Sequence, residues 1–593
     1  MSEILANLGG AQLFHAMAFR LNPPICSWQQ RLAIAISLLG VTGSSWLFPT
    51  QPVQAAERVH VSFSLLERSI PVRDLTEFVE DGTISSRLGA YTRYLNDGQI
   101  ERFRQVLQQP IDIDALGVAQ FLYSPQGEAL LDRLGQVVKT GRRQEGFYAI
   151  RSSLILAAGE PEGLTLLGIL RQFPTKGLRV DLDAALKIAF ELHALLRQTN
   201  EANQVIVEQA QQAVVAASAE IVQVPAGIQW NSAFPFAVPT GEIAVSELPG
   251  LETPGYFRWQ KQSFTIEDRD RNRRFPADLY IPNRNDGPAP VVVISHGLGS
   301  NRSSFVYLAT HLASRGFAVV VPEHLESSDR QREAMLQGKA NEVAEPREFI
   351  NRPLDITFLL DELSRKNQPG GSLAGRLNLE RIGAIGQSFG GYTVLALAGA
   401  PINFPRLEAD CQPNSRSWNV SLLLQCRALE LSDRSLNLQD KRIQAAIAIN
   451  PISSRVLGEE SLQQIEVPVA IVAGSHDTVA PSFPEQILPF TWLTNAPEKY
   501  LLLQQGGSHF STLQAGEDDL ELPKLAIGED PELAQRYTLS LSLAFFQTYV
   551  AQNREYRPYL TPAYIDSISE ESMPLSGIVE LDINELPELA PGF

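Results

Sequence analysis

The chain has 593 residues, 44% of them hydrophobic and 20% charged, with 49 basic and 67 acidic side chains and a formal charge of −18. At about 150 residues per domain that length suggests about four units, although one α/β domain takes up to about 250. The acidic excess argues against a general nucleic-acid binder, which needs a basic face to displace counterions. Three cysteines, at 26, 411 and 426, exclude a disulfide-dense scaffold and a four-thiolate zinc site.

Residues 4–56 carry no acidic side chain. Arg20 and Arg31 precede an apolar run over 32–48, and Val53-Gln54-Ala55 supplies small residues ahead of Glu57. This order predicts a secretory signal over 1–55, with Met17 as an alternative start. The competing reading is an uncleaved anchor. Against it, the run is shorter than the roughly 20 residues of a spanning helix, and Gly40 and Gly43 interrupt it. In an exported chain Cys411 and Cys426 are expected to form a disulfide, closing a short loop worth about 3 kcal/mol in the chain-entropy model. Two free thiols are the alternative.

From 56 to 222 the apolar period is helical, and an all-helical domain is expected. The stretch 99–108 puts Ile100, Phe103, Val106 and Leu107 on one stripe, and 127–138 and 148–158 repeat the pattern. The stretch 181–218 reads as one long helix or a helical pair, with Leu186, Phe190 and Leu196 as buried candidates. Residues 223–254, with five prolines, read as a linker.

Beyond 255 the pattern changes. An antiparallel pair over 256–266 and 274–281 is followed by apolar runs at 291–294, 318–321, 382–385, 445–449 and 469–472, separated by helical stretches. Such runs suit a buried parallel sheet, so 255–555 is expected to be an α/β domain. An insertion at 401–440, containing both later cysteines, is expected to be lid-like. Trp418, Leu422, Leu423 and Leu424 would line a lipophilic entrance or form the insertion's own small core. The tail, 556–593, has seven acidic residues after Arg557 and no basic ones, and reads as a solvated or loosely packed end.

The chemistry centres on Gly386-Gln387-Ser388-Phe389-Gly390, between an apolar strand and a helix of small residues. A bare G-x-S-x-G arises by chance about 0.2 times in this length, so the strand-turn-helix frame carries the signal. A serine on a strained turn exposes its hydroxyl, and the glycines two before and two after let neighbouring segments approach. The hydroxyl needs a base, and the base needs an acid. In the order nucleophile, acid, histidine, Asp477 after the strand at 469–472 and His509 in GGSHF are the candidates. His476 precedes the acid and is taken as supporting. The oxyanion donors are expected at the N–H of Phe389 and of Leu298 in Ser295-His296-Gly297-Leu298-Gly299. His296 is expected to be structural; Glu323 and His324 either bond the catalytic loops or pack at the rim.

The stretch VVVISHGLGSNRSSFVYLATHLASRGFAVVVPEH, with GQSFGG and GGSHF, resembles the platelet-activating-factor acetylhydrolases and related secreted lipases of the α/β-hydrolase fold. The resemblance covers about 255–550. It implies a serine esterase acting without metal on short or oxidised acyl chains of phospholipids or similar esters. By match of motifs Ser388 is the nucleophile, Asp477 the acid, His509 the base, and Leu298 and Phe389 the oxyanion donors. Gln387 departs from the histidine common before the serine, which bears on acyl preference. The 60–220 region is similar to an uncharacterised domain preceding such hydrolases in some bacterial proteins. No P-loop, dinucleotide fingerprint or H-E-x-x-H occurs, so no cofactor is expected. The expected partner is a lipid ester substrate, with contact to a membrane surface or the cell envelope. Rival readings are a polyester or peptide hydrolase on the same triad, or an envelope- or lipid-binding protein with a vestigial hydrolase.

Overall fold

Short strands stand among the helices of the first part of the chain. The structure, a computed structural model, describes residues 56–593 except 64–65, 94, 112–114, 218–220, 225–240, 413–416, 515–526, 529 and 589–593. The expected leader therefore lies outside the described residues. Strands β1 (Arg58–Phe63), β2 (Leu66–Pro71), β3 (Val138–Thr140) and β4 (Gly177–Asp181) form a sheet in the order β2-β1-β4-β3. The central pair is parallel and the outer pairs are antiparallel. Its core joins Val59 of β1 and Leu178 of β4 to Leu75, Phe78, Leu131, Ile150 and Phe173. This corrects the all-helical expectation. Strands this short barely interrupt the helical period, and the parallel partner of β1 lies far along the chain, beyond any local pattern. Helix Asp97–Gln108 starts on a capping box between Asn96 and Gln99. Leu107 is buried, and Ile100 and Phe103 lean on the core; Val106, off that stripe by its helical phase, is exposed.

The stretch expected as one helix or two is one, Leu182–Ala217, 36 residues and roughly 54 Å long at 1.5 Å per residue. Leu186, Phe190 and Leu196, expected to be buried, are exposed. Burial falls instead on Ala202, Ile206 and Ala210, spaced four apart, which join the core of the large sheet. Apolar residues occur around much of this helix, so periodicity alone does not select the packed stripe. The small alanines suit a close approach. The helix ends before the boundary expected at 222, yet it lies against β1 and β4 and also packs into the core of the large sheet.

The expected linker also carries structure. β5 (Ile221–Val224) and β6 (Gly241–Ala244) pair antiparallel, and Val245, Leu248 and Leu251 are buried beyond them.

The large sheet contains β7 (Trp259–Asp268), β8 (Arg273–Pro282), β9 (Ala289–Ser295), β10 (Ala318–Pro322), β11 (Leu377–Gln387), β12 (Ile443–Ile449), β13 (Val469–Gly474), β14 (Lys499–Gln504) and β15 (Leu575–Ile578). Their order is β15-β14-β13-β12-β11-β9-β10-β8-β7. The six strands from β14 to β10 are parallel, and β8, β7 and β15 are antiparallel additions. Every apolar run expected as an inner strand is one, because helices cover both faces and no solvent side requires polar alternation.

The expected loose tail is corrected in part. β15 closes the sheet edge against β14, and Tyr559 and Tyr564 are fully buried. The seven acidic side chains after Arg557 are all exposed. They flank a four-residue strand too short to stand out between charged turns.

Truncating a side chain in each half of the long helix separates its two surroundings. Ile206→Ala is expected to cost about 2–5 kcal/mol in urea unfolding and Phe190→Ala about 0.5 or less. Equal small losses would contradict the burial of Ile206 in the core of the large sheet.

Candidate active site

The site begins with a close approach of backbones. β11 ends at Gln387, Ser388 adopts φ 57°, ψ −115°, and the helix Phe389–Ala398 starts directly after it. This is a strained conformation for a residue with a side chain, and such turns cost of order 1–3 kcal/mol unless their surroundings hold them. Here the Ser388 N–H donates to the Ile449 carbonyl of β12 at 2.8 Å. A methyl group on Gly386 would drive into the Gly390 carbonyl, one on Gly390 into the Ser295 carbonyl of β9, and one on Gly391 would lie 2.9 Å from Cα of Pro451. The glycines are steric requirements of the turn.

Asp477 and His509 arrive on the loops after β13 and β14. His509 Nδ1 lies 2.6 Å from Asp477 Oδ2, and both side chains are buried. The other carboxylate oxygen accepts N–H groups of Val479 and Ala480 at 2.8 and 2.7 Å. With one oxygen fixed by backbone donors, the other is aimed at the imidazole. The Gln387 amide donates to the His509 carbonyl at 2.9 Å, tying the histidine loop to the residue before Ser388. Gln387 also fills the space beside Gly297, where a methyl group would collide with its amide oxygen. No hydrogen bond among the described residues joins Ser388 Oγ to His509. His476 is exposed; its backbone N–H donates to Gly507.

Leu298 and Phe389 contribute backbone N–H groups with no acceptor among the described residues. Gly299 turns at φ 67° and donates to Ser327 at 2.8 Å. His296 and His324 are fully buried behind this loop. The His324 N–H donates to His296 Nε2 at 3.0 Å, so Nδ1 of His296 carries the proton and donates to the Gly297 carbonyl at 2.8 Å. Burial, and then the Arg352 guanidinium, push His296 down to about 3. It is a neutral structural histidine. His324 contacts Ser295 Oγ at 2.9 Å, and Glu323 accepts from Arg302 Nε at 2.9 Å, so both brace the loop that follows β9.

Further residues that sequence reasoning did not single out complete the frame. Asn450, at φ 43° directly after β12, accepts the Gly474 N–H at 2.9 Å and donates to the Ser508 carbonyl at 3.1 Å, joining the acid loop to the histidine loop. Asn203 of the long helix accepts from Ser482 at 2.8 Å and donates to Ser475 at 3.4 Å, bracketing the loop of Asp477. Arg352, fully buried in helix Glu348–Asn367, donates to the carbonyls of His296 and Gly297. An asparagine after an apolar strand was a visible signal for the first. A charge within an apolar helical stripe was one for the last.

Cys411 and Cys426 are joined by a disulfide. Leu424 belongs to the main core, while Trp418, Leu422 and Leu423 line a cleft of about 580 Å³ together with Arg133, Ile188 and the bridge. Trp418 Nε1 donates to Glu191 of the long helix at 3.1 Å. The insertion is anchored by the fully buried Glu485. That carboxylate accepts from Asn419, Ser421 and Gln425 of the insertion and from the N–H groups of Ser453 and Ser454 after β12.

Comparison with known proteins gives the class. Residues 55–181 match the family described as alpha/beta hydrolase of unknown function (DUF1400). Residues 264–355 match platelet-activating factor acetylhydrolase, isoform II. The platelet-activating factor acetylhydrolase of Cavia porcellus is 25% identical over 160 residues, 21% of this chain and 34% of that protein. The matched part of this chain therefore spans about a third of that relative's length. The chain carries a hydrolase region of the platelet-activating-factor-acetylhydrolase type and is a distant homologue of those enzymes. The first match ends where the long helix begins; the second contains Leu298 and Arg352 and stops short of Ser388.

Burial gives the fold an acid-sensitive element. Burial and then neighbouring arginines hold His296 and His311 down at about 3, against 6.5 for a free imidazole. Above about 6.5 both states are neutral and stability is unaffected. Below it the unfolded chain binds protons that the folded protein refuses, so stability falls toward about 3. The two histidines together should add about 2.7 kcal/mol per pH unit to that loss near pH 5. Urea unfolding of wild type and His311→Gln across pH 5–7 tests this, since the variant should lose about half of this component of the slope. Equal slopes would refute the assignment.

Proposed function

We propose that the protein is a serine hydrolase of the α/β-hydrolase fold that cleaves carboxylic esters, lipid-like ones with short acyl chains foremost, through an acyl-enzyme. The observation that carries this reading is the Asp477–His509 pair at 2.6 Å, buried on loops beside the strained Ser388 turn. In the proposed cycle Asp477 holds the proton of His509 on Nδ1, leaving Nε2 as the base. Ser388 Oγ attacks the ester carbonyl carbon as its proton passes to Nε2, and the carbonyl π pair moves to oxygen. The N–H groups of Leu298 and Phe389 receive that oxyanion. Collapse breaks the bond to the alcohol, which takes the proton from Nε2. Water then repeats the sequence on the acyl-enzyme, releasing the acid and restoring Ser388.

The substrate class rests on the match of residues 264–355 and on the activity for which the Cavia porcellus relative is named. Export is part of the proposal, supported by the basic, apolar and small-residue order of the leader and by the bridge between Cys411 and Cys426.

Hydrolysis of p-nitrophenyl esters of graded chain length tests the reading. Wild type should turn over the short esters fastest, and Ser388→Ala and His509→Ala should each lose at least about 10⁴-fold in kcat. An inactive wild type would sink the esterase reading; an active Ser388→Ala would sink the nucleophile.

The bridge has its own test. Thiol labelling of unreduced protein should find neither Cys411 nor Cys426, and replacing both by serine should cost about 3 kcal/mol. Labelling at both positions would remove this support for export.

A further inference from the structure

The proposed reaction requires the Leu298 N–H to point at a developing oxyanion, and the Gly297–Leu298 peptide can swing unless something holds it. Across a trans peptide the carbonyl and the following N–H point in opposite directions, so fixing one aims the other. The Gly297 carbonyl accepts from Arg352 Nη2 at 3.3 Å and from His296 Nδ1 at 2.8 Å. One residue earlier, the His296 carbonyl accepts from Arg352 Nη1 at 2.7 Å. Arg352 Nε and Nη2 also donate to Ser327 Oγ at 2.9 and 2.8 Å, and the backbone carbonyl of Ser327 receives the Gly299 N–H at 2.8 Å. Both ends of the oxyanion turn are therefore held by one guanidinium and the serine it binds. The guanidinium carbon also lies 4.2 Å from the ring centroid of Phe389, whose backbone supplies the other donor.

We infer that Arg352 is the positioning residue of the oxyanion site, setting the Gly297–Leu298 peptide with its fork and bracing Phe389 with its face. The inference rests on the assignment of Leu298 and Phe389 in the proposed function. A plain buried ion pair would look different, and the neighbouring network supplies the comparison. Arg273 binds the Asp355 carboxylate from Nε and Nη2 at 2.9 and 2.7 Å. Arg352 stands 3.6 Å from its nearest carboxylate, Glu348, and its hydrogen bonds go to two backbone carbonyls and a hydroxyl. Buried ion pairs add little stability over apolar residues of similar size, so stability alone is a weak reason for a charge here. A cation behind the peptide also polarises it toward its N–H, which favours negative charge on the far side.

The test uses the full chain with kcat counted per serine titrated by a fluorophosphonate, so that unfolded protein drops out. Arg352→Met should lower kcat about 100-fold while KM stays within about threefold, the pattern of a contact made mainly in the transition state. Affinity for a trifluoromethyl ketone, which forms an oxyanion on Ser388, should fall in parallel, and affinity for the matching alcohol should not. Arg352→Lys keeps the charge without the fork and should lose about 10-fold in kcat. Wild-type kcat per titrated serine in Arg352→Met, beside an active wild type, would overturn the inference alone. A wild type without Ser388-dependent turnover would overturn the proposed function as well. Should Arg352→Met not fold, Arg352→Lys decides: full kcat per titrated serine would overturn the inference, and a selective loss of kcat and ketone affinity would uphold it.

Discussion

Much of the site depends on how closely β9 approaches the turn after β11. Where Gly390 lacks a side chain, the Ser295 carbonyl occupies the space a methyl group would need. That proximity puts the end of β9, and the turn over Ser295–Gly299 that it feeds, directly beside the Ser388 backbone. It also explains why the turn is bare on both sides. With Gly386 against Gly390, and with Gly390 and Gly391 against Ser295 and Pro451, the strained serine is held by its own turn and by two neighbouring segments. The strain is held by packing, not by the serine's own preferences.

Around that contact, buried polar groups serve as joints between loops. Asn450 ties the acid loop to the histidine loop, Gln387 ties the histidine loop to the serine, and Glu485 ties the insertion to the strand ends. Each is buried and bonds a chain segment distant in sequence, Asn450 and Glu485 more than once. The Glu348 carboxyl, pushed up to about 7 by burial against the pull of Arg352 and Arg273, belongs to the same group of joints. Such networks are costly when half-satisfied, which favours one arrangement of the loops over many.

The inner strands β9 to β13 were legible because parallel strands buried on both faces leave unbroken apolar runs. The residues Ser388, Asp477 and His509 stood out because each follows such a run within a short turn. β1 to β4 and β15 were missed because three to six residues between charged or helical stretches leave little period to read. The packed stripe of the long helix was misjudged for a different reason. Leu186, Phe190 and Leu196 are large and periodic yet face outward, while Ala202, Ile206 and Ala210 supply the fit. Arg352 carried a usable signal. Glu348, Arg352 and Asp355 share a helical stripe with Ile356, Leu359 and Leu363, and charges there imply buried partners elsewhere.

The long helix bears on how this chain could have been assembled. It begins where the region matched by one family model ends, and its second half supplies a wall of the sheet domain and two polar contacts around the loop of Asp477. A gene fragment beginning at the apparent boundary near 255 would encode every triad candidate and still lack part of its core. The two regions are therefore poor candidates for independent shuffling. A recombination event that exchanged the amino-terminal region for another would also exchange a face of the hydrolase, so selection on catalysis would act on a helix remote from Ser388 in the chain.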